Sequence, residues 1–238
     1  MNITVIYGQK HKGNTYKLTK LFLGQLSEGE TQVDEFFLPD GSLGFCSGCL
    51  NCIMRDEKTC PHYAFMEKVT KAIDRADLII VSSPCYVFSM TGQLKTLFDH
   101  FGYRYMAHRP EASMFRKQAL ALSTAAGAGM GKTAKLIAFN FFMWGVARIY
   151  KYGVRINAHD FNEIPNNRKR VISRKAGRIT KKILKYNGRA KPNFKTRFMF
   201  QILKLNQRKN DWNAADKEFW QSRGWLDGKK PYGSSKKF

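Results

Sequence analysis

The chain has 238 residues, 43% of them apolar, which fits one α/β domain with an extension, or two small domains, and argues against disorder. Its longest apolar run, Leu136 to Tyr150, contains Arg148 and falls short of the roughly 18–20 residues a membrane span requires. The formal net charge of +23 is uneven: residues 1–150 hold 17 Lys and Arg against 12 Asp and Glu, residues 151–238 hold 24 against 6, so the C-terminal third should attract phosphates, nucleic acid or anionic lipid. Met1 leads directly into a strand-like run, Ile3-Thr4-Val5-Ile6-Tyr7, with no signal peptide visible. Together with the odd count of five cysteines this points to the reducing cytoplasm, where clustered thiols read as metal or redox sites.

Strands are expected at 3–8, 31–38, 77–83, 117–124 and 149–157. Helices are expected between them near 14–26, 62–75, 90–104 and 131–146, and a fifth at 166–186. In the first helix Leu18, Leu21, Phe22 and Leu26 recur at helical period. In the fifth, Ile172, Ala176, Ile179 and Ile183 share one face with Lys and Arg opposite. Such alternation implies a doubly wound, five-stranded parallel sheet, with ligands beyond the carboxyl ends of the strands. Residues 187–193 read as a break. An amphipathic stretch from Phe194 to Leu205 follows, then a tail with Trp212, Phe219, Trp220, Trp225 and Tyr232. These aromatics would be costly to leave in water, so the 187–238 extension is expected to pack on the 1–186 domain or on a second subunit of a homo-oligomer.

Three loops leave strands at that edge. Gly8-Gln9-Lys10-His11-Lys12-Gly13-Asn14-Thr15 enters a helix whose N-terminus can bind phosphate, or it is an ordinary turn capped by Asn14. Ser82 to Lys95 carries Pro84, Tyr86, Val87 and Phe88. These make a flat apolar wall for a ring system, or simply pack on the core. Ser123 to Gly131 is built of small residues that expose backbone N–H groups, suited to the anionic edge of a reduced flavin. Within it Ala126 to Thr133 reads Ala-x-x-x-x-Gly-Lys-Thr, a relaxed triphosphate-loop match. However, the first glycine is missing, and no later strand ends in an Asp suited to magnesium.

Cys46, Cys49, Cys52 and Cys60 follow C-x2-C-x2-C-x7-C, with Pro61 next. A close triplet with a distant fourth suits a cubane iron–sulfur cluster better than zinc. Zinc, a redox-active dithiol and an inert structural loop are the alternatives. Cys85 lies apart and reads as a packing residue.

Taken together, Gly8 to Thr15, Cys46 to Cys52, and Ser83 to Asp99 with its Met-Thr-Gly-Gln-Leu-Lys core resemble the flavodoxin-like NAD(P)H-dependent FMN reductase family, closest to its iron–sulfur flavoprotein branch, over residues 1–185. The resemblance implies that Gln9, His11, Asn14 and Thr15 hold the FMN phosphate. It implies that Pro84, Tyr86, Val87 and Phe88 line the isoalloxazine ring and that Thr124, Ala125 and Gly127 meet its other side. The family usually has Ser and Arg where this chain has Gln9 and His11, and His is a weaker, pH-dependent phosphate partner. Electrons would pass from NAD(P)H through FMN to an acceptor the sequence does not name; alternatively the chain is an iron–sulfur flavoprotein electron carrier, with a 4Fe-4S cluster on the four cysteines, reduced by a protein partner such as an acidic redox protein. The rival reading is a nucleic-acid or anionic-membrane binder using the basic tail. The absence of any nucleic-acid fingerprint argues against nucleic acid as primary partner.

Overall fold

The computed structural model describes residues 1–27 and 29–232; the last six residues of the expected extension, 233–238, lie outside the described residues. Five strands, β1 (Asn2–Tyr7), β2 (Gln32–Phe37), β3 (Leu78–Pro84), β4 (Gln118–Ala125) and β5 (Arg148–Arg155), form one parallel sheet in the order β2-β1-β3-β4-β5. The helices are α1 (Asn14–Leu26), α2 (Asn51–Met54), α3 (Tyr63–Arg75), α4 (Gly92–His100), α5 (Met130–Met143), α6 (Asn166–Lys185), α7 (Phe194–Arg208) and α8 (Ala214–Ser222). Every strand stands within two residues of its expected position. The helix expected over 90–104 stops at His100 and gives way to a short 3-10 turn, Gly102–Arg104.

The central strand β3 is buried along its whole length and β4 along all but its last residue, as covering by helices on both faces requires. On one face Ile6, Ile79, Val81, Ala119 and Ala121 meet apolar residues of α3, α4 and α5. On the other, Ile3, Val5, Ile80, Leu120 and Leu122 meet Leu18 and Phe22 of α1 and Ile172, Ala176 and Ile183 of α6. The order reverses between β1 and β3, so the loops leaving these strands flank the switch point where ligands bind in open α/β sheets.

A third core lies outside the sandwich. Phe200 of α7 stacks on Trp220 of α8, centroids 4.9 Å apart, and meets Phe115 edge-on at 5.5 Å. Met106, Trp225 and Leu226 complete it. Since Phe200 and Trp220 are fully buried, Phe200→Ala should cost about 3–5 kcal/mol, read as a lowered denaturant midpoint of the flavin-free protein.

Candidate functional site

The three loops are tied together at the carboxyl edge. Thr15 Oγ1, in the first turn of α1, hydrogen-bonds Thr124 Oγ1 at the end of β4 across 2.6 Å, out of solvent. Thr91 caps α4 by accepting from the Leu94 amide, while its own hydroxyl donates to the Gly8 carbonyl at 2.6 Å. The approach is close: a Cβ on Gly8 would lie 2.9 Å from Thr91 Oγ1 and 3.2 Å from the Ser82 carbonyl oxygen. Cys85 N donates to the Thr124 carbonyl, and the Tyr86 hydroxyl donates to Gln9 Oε1 at 2.7 Å.

At the head of α1, Gly13 occupies the cap position and offers no side-chain acceptor, and the first turn holds no acid. Its leading N–H groups therefore present positive partial charge to an anion. Asn14 behaves differently from a phosphate donor. Its Nδ2 donates to the Ala158 carbonyl at 2.8 Å, and its Oδ1 is buried without a partner. Lys17 pairs with Asp160 nearby. Gln9 is half-buried and His11 exposed at the mouth.

The ring-facing loop is a two-residue hairpin. Tyr86 and Ser89 exchange both backbone hydrogen bonds, and the residues between them, Val87 and Phe88, have φ of 48° and 60°. Two consecutive positive φ values make a primed turn, which strongly prefers Asn-Gly. A β-branched residue there is a genuine outlier, of a kind that clusters at ligand clamps. The reward is display: Val87 is 95% exposed, and Tyr86 and Phe88 are more than half exposed, above a buried Pro84. The β4 loop leans against this hairpin at Gly129, φ 92°, where a Cβ would lie 2.5 Å from Cys85 Sγ and 3.0 Å from the Phe88 ring. Thr124 is buried, Ala125 half-buried and Gly127 open to solvent. The sequence-predicted ring-binding residues thus converge on one edge.

The four clustered cysteines are also brought together. Cys46, Cys49, Cys52 and Cys60 line one cavity of about 200 Å³ with Phe45, His62 and His100. All four thiols are free, Cys46 and Cys49 exposed. Burial, and then the like charges of Cys60, Cys46 and Cys49, push the Cys52 thiol up to about 11. Four thiols gathered around one cavity form a donor set that suits a cation. In the observed side-chain arrangement, no three His, Cys, Asp or Glu side chains among the described residues converge on one metal ion. The cysteine cavity shares Phe45 with a second cavity that reaches Gly92, next to Thr91. Cys60 Sγ lies 3.6 Å from Nδ1 of His100, at the far end of α4 from Thr91, about 14 Å of helix rise away. A largely apolar cavity of about 420 Å³, lined by Leu38, Pro39, Phe45, Gly92 and Thr96 among others, occupies the interval.

Sequence reasoning missed what holds the cysteine loop. Arg109 donates to the Ile53 carbonyl at 2.8 Å and also to that of Cys52. Asp216 Oδ1 anchors Arg109 at 2.8 Å, its other oxygen taking His108 Nδ1 at 2.6 Å and Asn213 Nδ2 at 3.0 Å. Asn213 also donates to the Ile53 carbonyl. Asp216 and Asn213 are each 1% exposed, so this is a desolvated, fully paired network reaching from α8 to α2. Arg109 and Asp216 are 107 residues apart and Ile53 and Asn213 160, and no motif or period in the chain marks them.

The strand order and the loops gathered at its switch point define a flavodoxin-like flavoprotein. Residues 1–158 match the NADPH-dependent FMN reductase model, and the chain belongs to that family: it is an NAD(P)H-dependent FMN oxidoreductase. An iron–sulfur flavoprotein of Archaeoglobus fulgidus is 25% identical over 237 residues, 95% of this chain and all of that protein. One of Methanocaldococcus jannaschii is 33% identical over 42% of this chain and 50% of its own. Among solved structures, an azoreductase of Bacillus anthracis superposes with a TM-score of 0.59 at 13% identity, covering 76% of this chain and 98% of its own. An NADH:FMN oxidoreductase gives 0.54 at 18%, covering 82% and 92%. At these identities the superpositions show the fold alone.

Val87→Asn with Phe88→Gly relieves the primed turn and removes the displayed side chains. It should raise the melting temperature of the flavin-free protein, by about 1–2 kcal/mol of stability, while weakening FMN binding in a fluorescence titration. Asp216→Asn should loosen the Arg109 grip and raise the alkylation rate of Cys52 several-fold relative to Cys85, read by mass spectrometry of the metal-free protein.

Proposed function

We propose that residues 1–186 hold FMN across the three tied loops, that 187–238 are an extension of that domain, and that the loop of four cysteines carries a 4Fe-4S cluster. The observation that carries the flavin placement is the mutual tie of the loops at the switch point. It puts an uncapped helix N-terminus, a displayed aromatic hairpin and a run of exposed backbone N–H groups on one edge. The phosphate faces the first amides of α1, with His11 adding charge when protonated. The unpartnered, buried Asn14 Oδ1 suits a ligand hydroxyl better than a phosphate, so Asn14 serves the sugar-like chain, while Gln9 and Thr15 shape the mouth. Pro84, Tyr86, Val87 and Phe88 form one wall of the ring site, with Thr124, Ala125 and Gly127 opposite.

Held there, FMN would supply the hydride and electron-transfer chemistry. The chain itself positions the ring, and no side-chain acid or base is required. The apolar cavity lined by Leu38, Phe45 and Gly92 is the seat for a planar ring of donor or acceptor. The four-cysteine donor set fits a cluster, with Cys46 and Cys49 turning inward from solvent. The full-length relative named an iron–sulfur flavoprotein supports this reading, and so does the thiol crowding around Cys52.

Anaerobically purified protein tests both parts. FMN should quench on binding and bleach on mixing with NADH or NADPH with no other protein added. About four irons per chain should accompany a broad shoulder near roughly 400 nm. Cys49→Ser should remove iron and shoulder and leave FMN binding intact. Bleaching without iron would leave the flavin reading standing and the cluster reading refuted.

A further inference from the structure

Helix α7 is apolar on both sides. Phe200, with Thr196 and Gln207, is buried toward the third core. On the opposite face Phe194, Phe198, Ile202 and Leu205 are 78%, 56%, 38% and 58% exposed. Their spacing of four, four and three residues makes one continuous stripe. The Phe194 and Phe198 rings stack with centroids 5.8 Å apart. Trp212, 64% exposed, stands just beyond the helix end. A single exposed apolar side chain needs no explanation, but a stripe of four on the outward face of one helix marks an interaction surface.

The charge around it identifies the counterpart. Residues 164–210 contain 16 Lys and Arg and no Asp or Glu. Among the described residues no ion pair involves this span. Lys195 on α7 and Lys209 at its C-terminal cap are both exposed, while Arg197 and Arg208, also exposed, donate to the Pro192 and Leu226 carbonyls. A second copy of this face would bring cations against cations, which opposes symmetric pairing. Nucleic acid would satisfy the charge and leave the Phe and Leu side chains in water. An anionic bilayer satisfies both: headgroups take the Lys and Arg, and the boundary with the acyl chains takes the apolar stripe, as for interfacial amphipathic helices. A helix of 15 residues presents this pattern along about 22 Å. No helix among the described residues is long and apolar enough to cross a membrane, so the contact is peripheral.

We propose that the outward face of α7, within the acid-free cationic surface of residues 164–210, docks the protein on an anionic lipid bilayer. The proposal is independent of the flavin and cluster readings.

The test is co-sedimentation of the full chain with vesicles of mixed phosphatidylglycerol and phosphatidylcholine, against vesicles of phosphatidylcholine alone. The wild type should sediment with the mixed vesicles only and be released as salt rises. Phe194→Ser with Phe198→Ser should weaken sedimentation by at least about tenfold, and Lys195→Gln with Lys209→Gln by about fivefold per lysine. Circular dichroism and FMN titration should match wild type in both variants. Sedimentation that is absent, indifferent to phosphatidylglycerol, or unchanged by the double Phe substitution would overturn the proposal. So would light scattering showing a vesicle-indifferent wild-type oligomer that the same substitution converts to monomers, since the stripe would then be a self-interface.

Discussion

All five strands run in one direction, so every loop that leaves a strand leaves from the same edge. Parallel pairing cannot be closed by hairpins; each return needs a helix across a face, and the reversal of winding between β1 and β3 opens a crevice at that edge. The site then depends on how tightly the loops are drawn together. The buried Thr15–Thr124 hydroxyl pair and the Thr91–Gly8 bond do this with neutral partners, each worth about 1 kcal/mol net when made and more when broken, since an orphaned buried hydroxyl bears its full desolvation cost. Gly8 and Gly129 are where the loops come too close for a Cβ. Once these ties are in place, the displayed hairpin has a rigid base.

That rigidity explains why an unfavourable turn persists. Val87 and Phe88 adopt backbone angles that their side chains disfavour, and a free hairpin of this sequence would choose another conformation. Here its stem is pinned by Cys85 N on Thr124 and by Tyr86 on Gln9, and its flank by Gly129. The surroundings over-determine the turn, and the outcome is a pair of apolar side chains presented to a ligand instead of to the core.

The sheet was legible because β3 and β4 are continuous apolar runs bounded by turn residues, and α1 and α6 carry clean helical stripes. The phosphate loop, ring loop and cysteine loop were legible because each is contiguous in sequence. What escaped depends on partners far apart along the chain. Asn14 resembled a phosphate donor until Ala158 claimed its amide. Helix α8 was hidden in an aromatic-rich tail, and the Arg109–Asp216–Asn213 network has no local signature. The Val87–Phe88 turn was unreadable because propensity argues for a strand there.

The clamp on the cysteine loop has a consequence in time. Ile53 and Asn213 are separated by 160 residues. A ribosome moving at 5–20 residues per second makes the cysteines roughly 8–32 s before the helix that secures them. During that interval the loop has its thiols but not its brace. Whatever geometry of the cysteine loop depends on that brace therefore waits until α8 has been made.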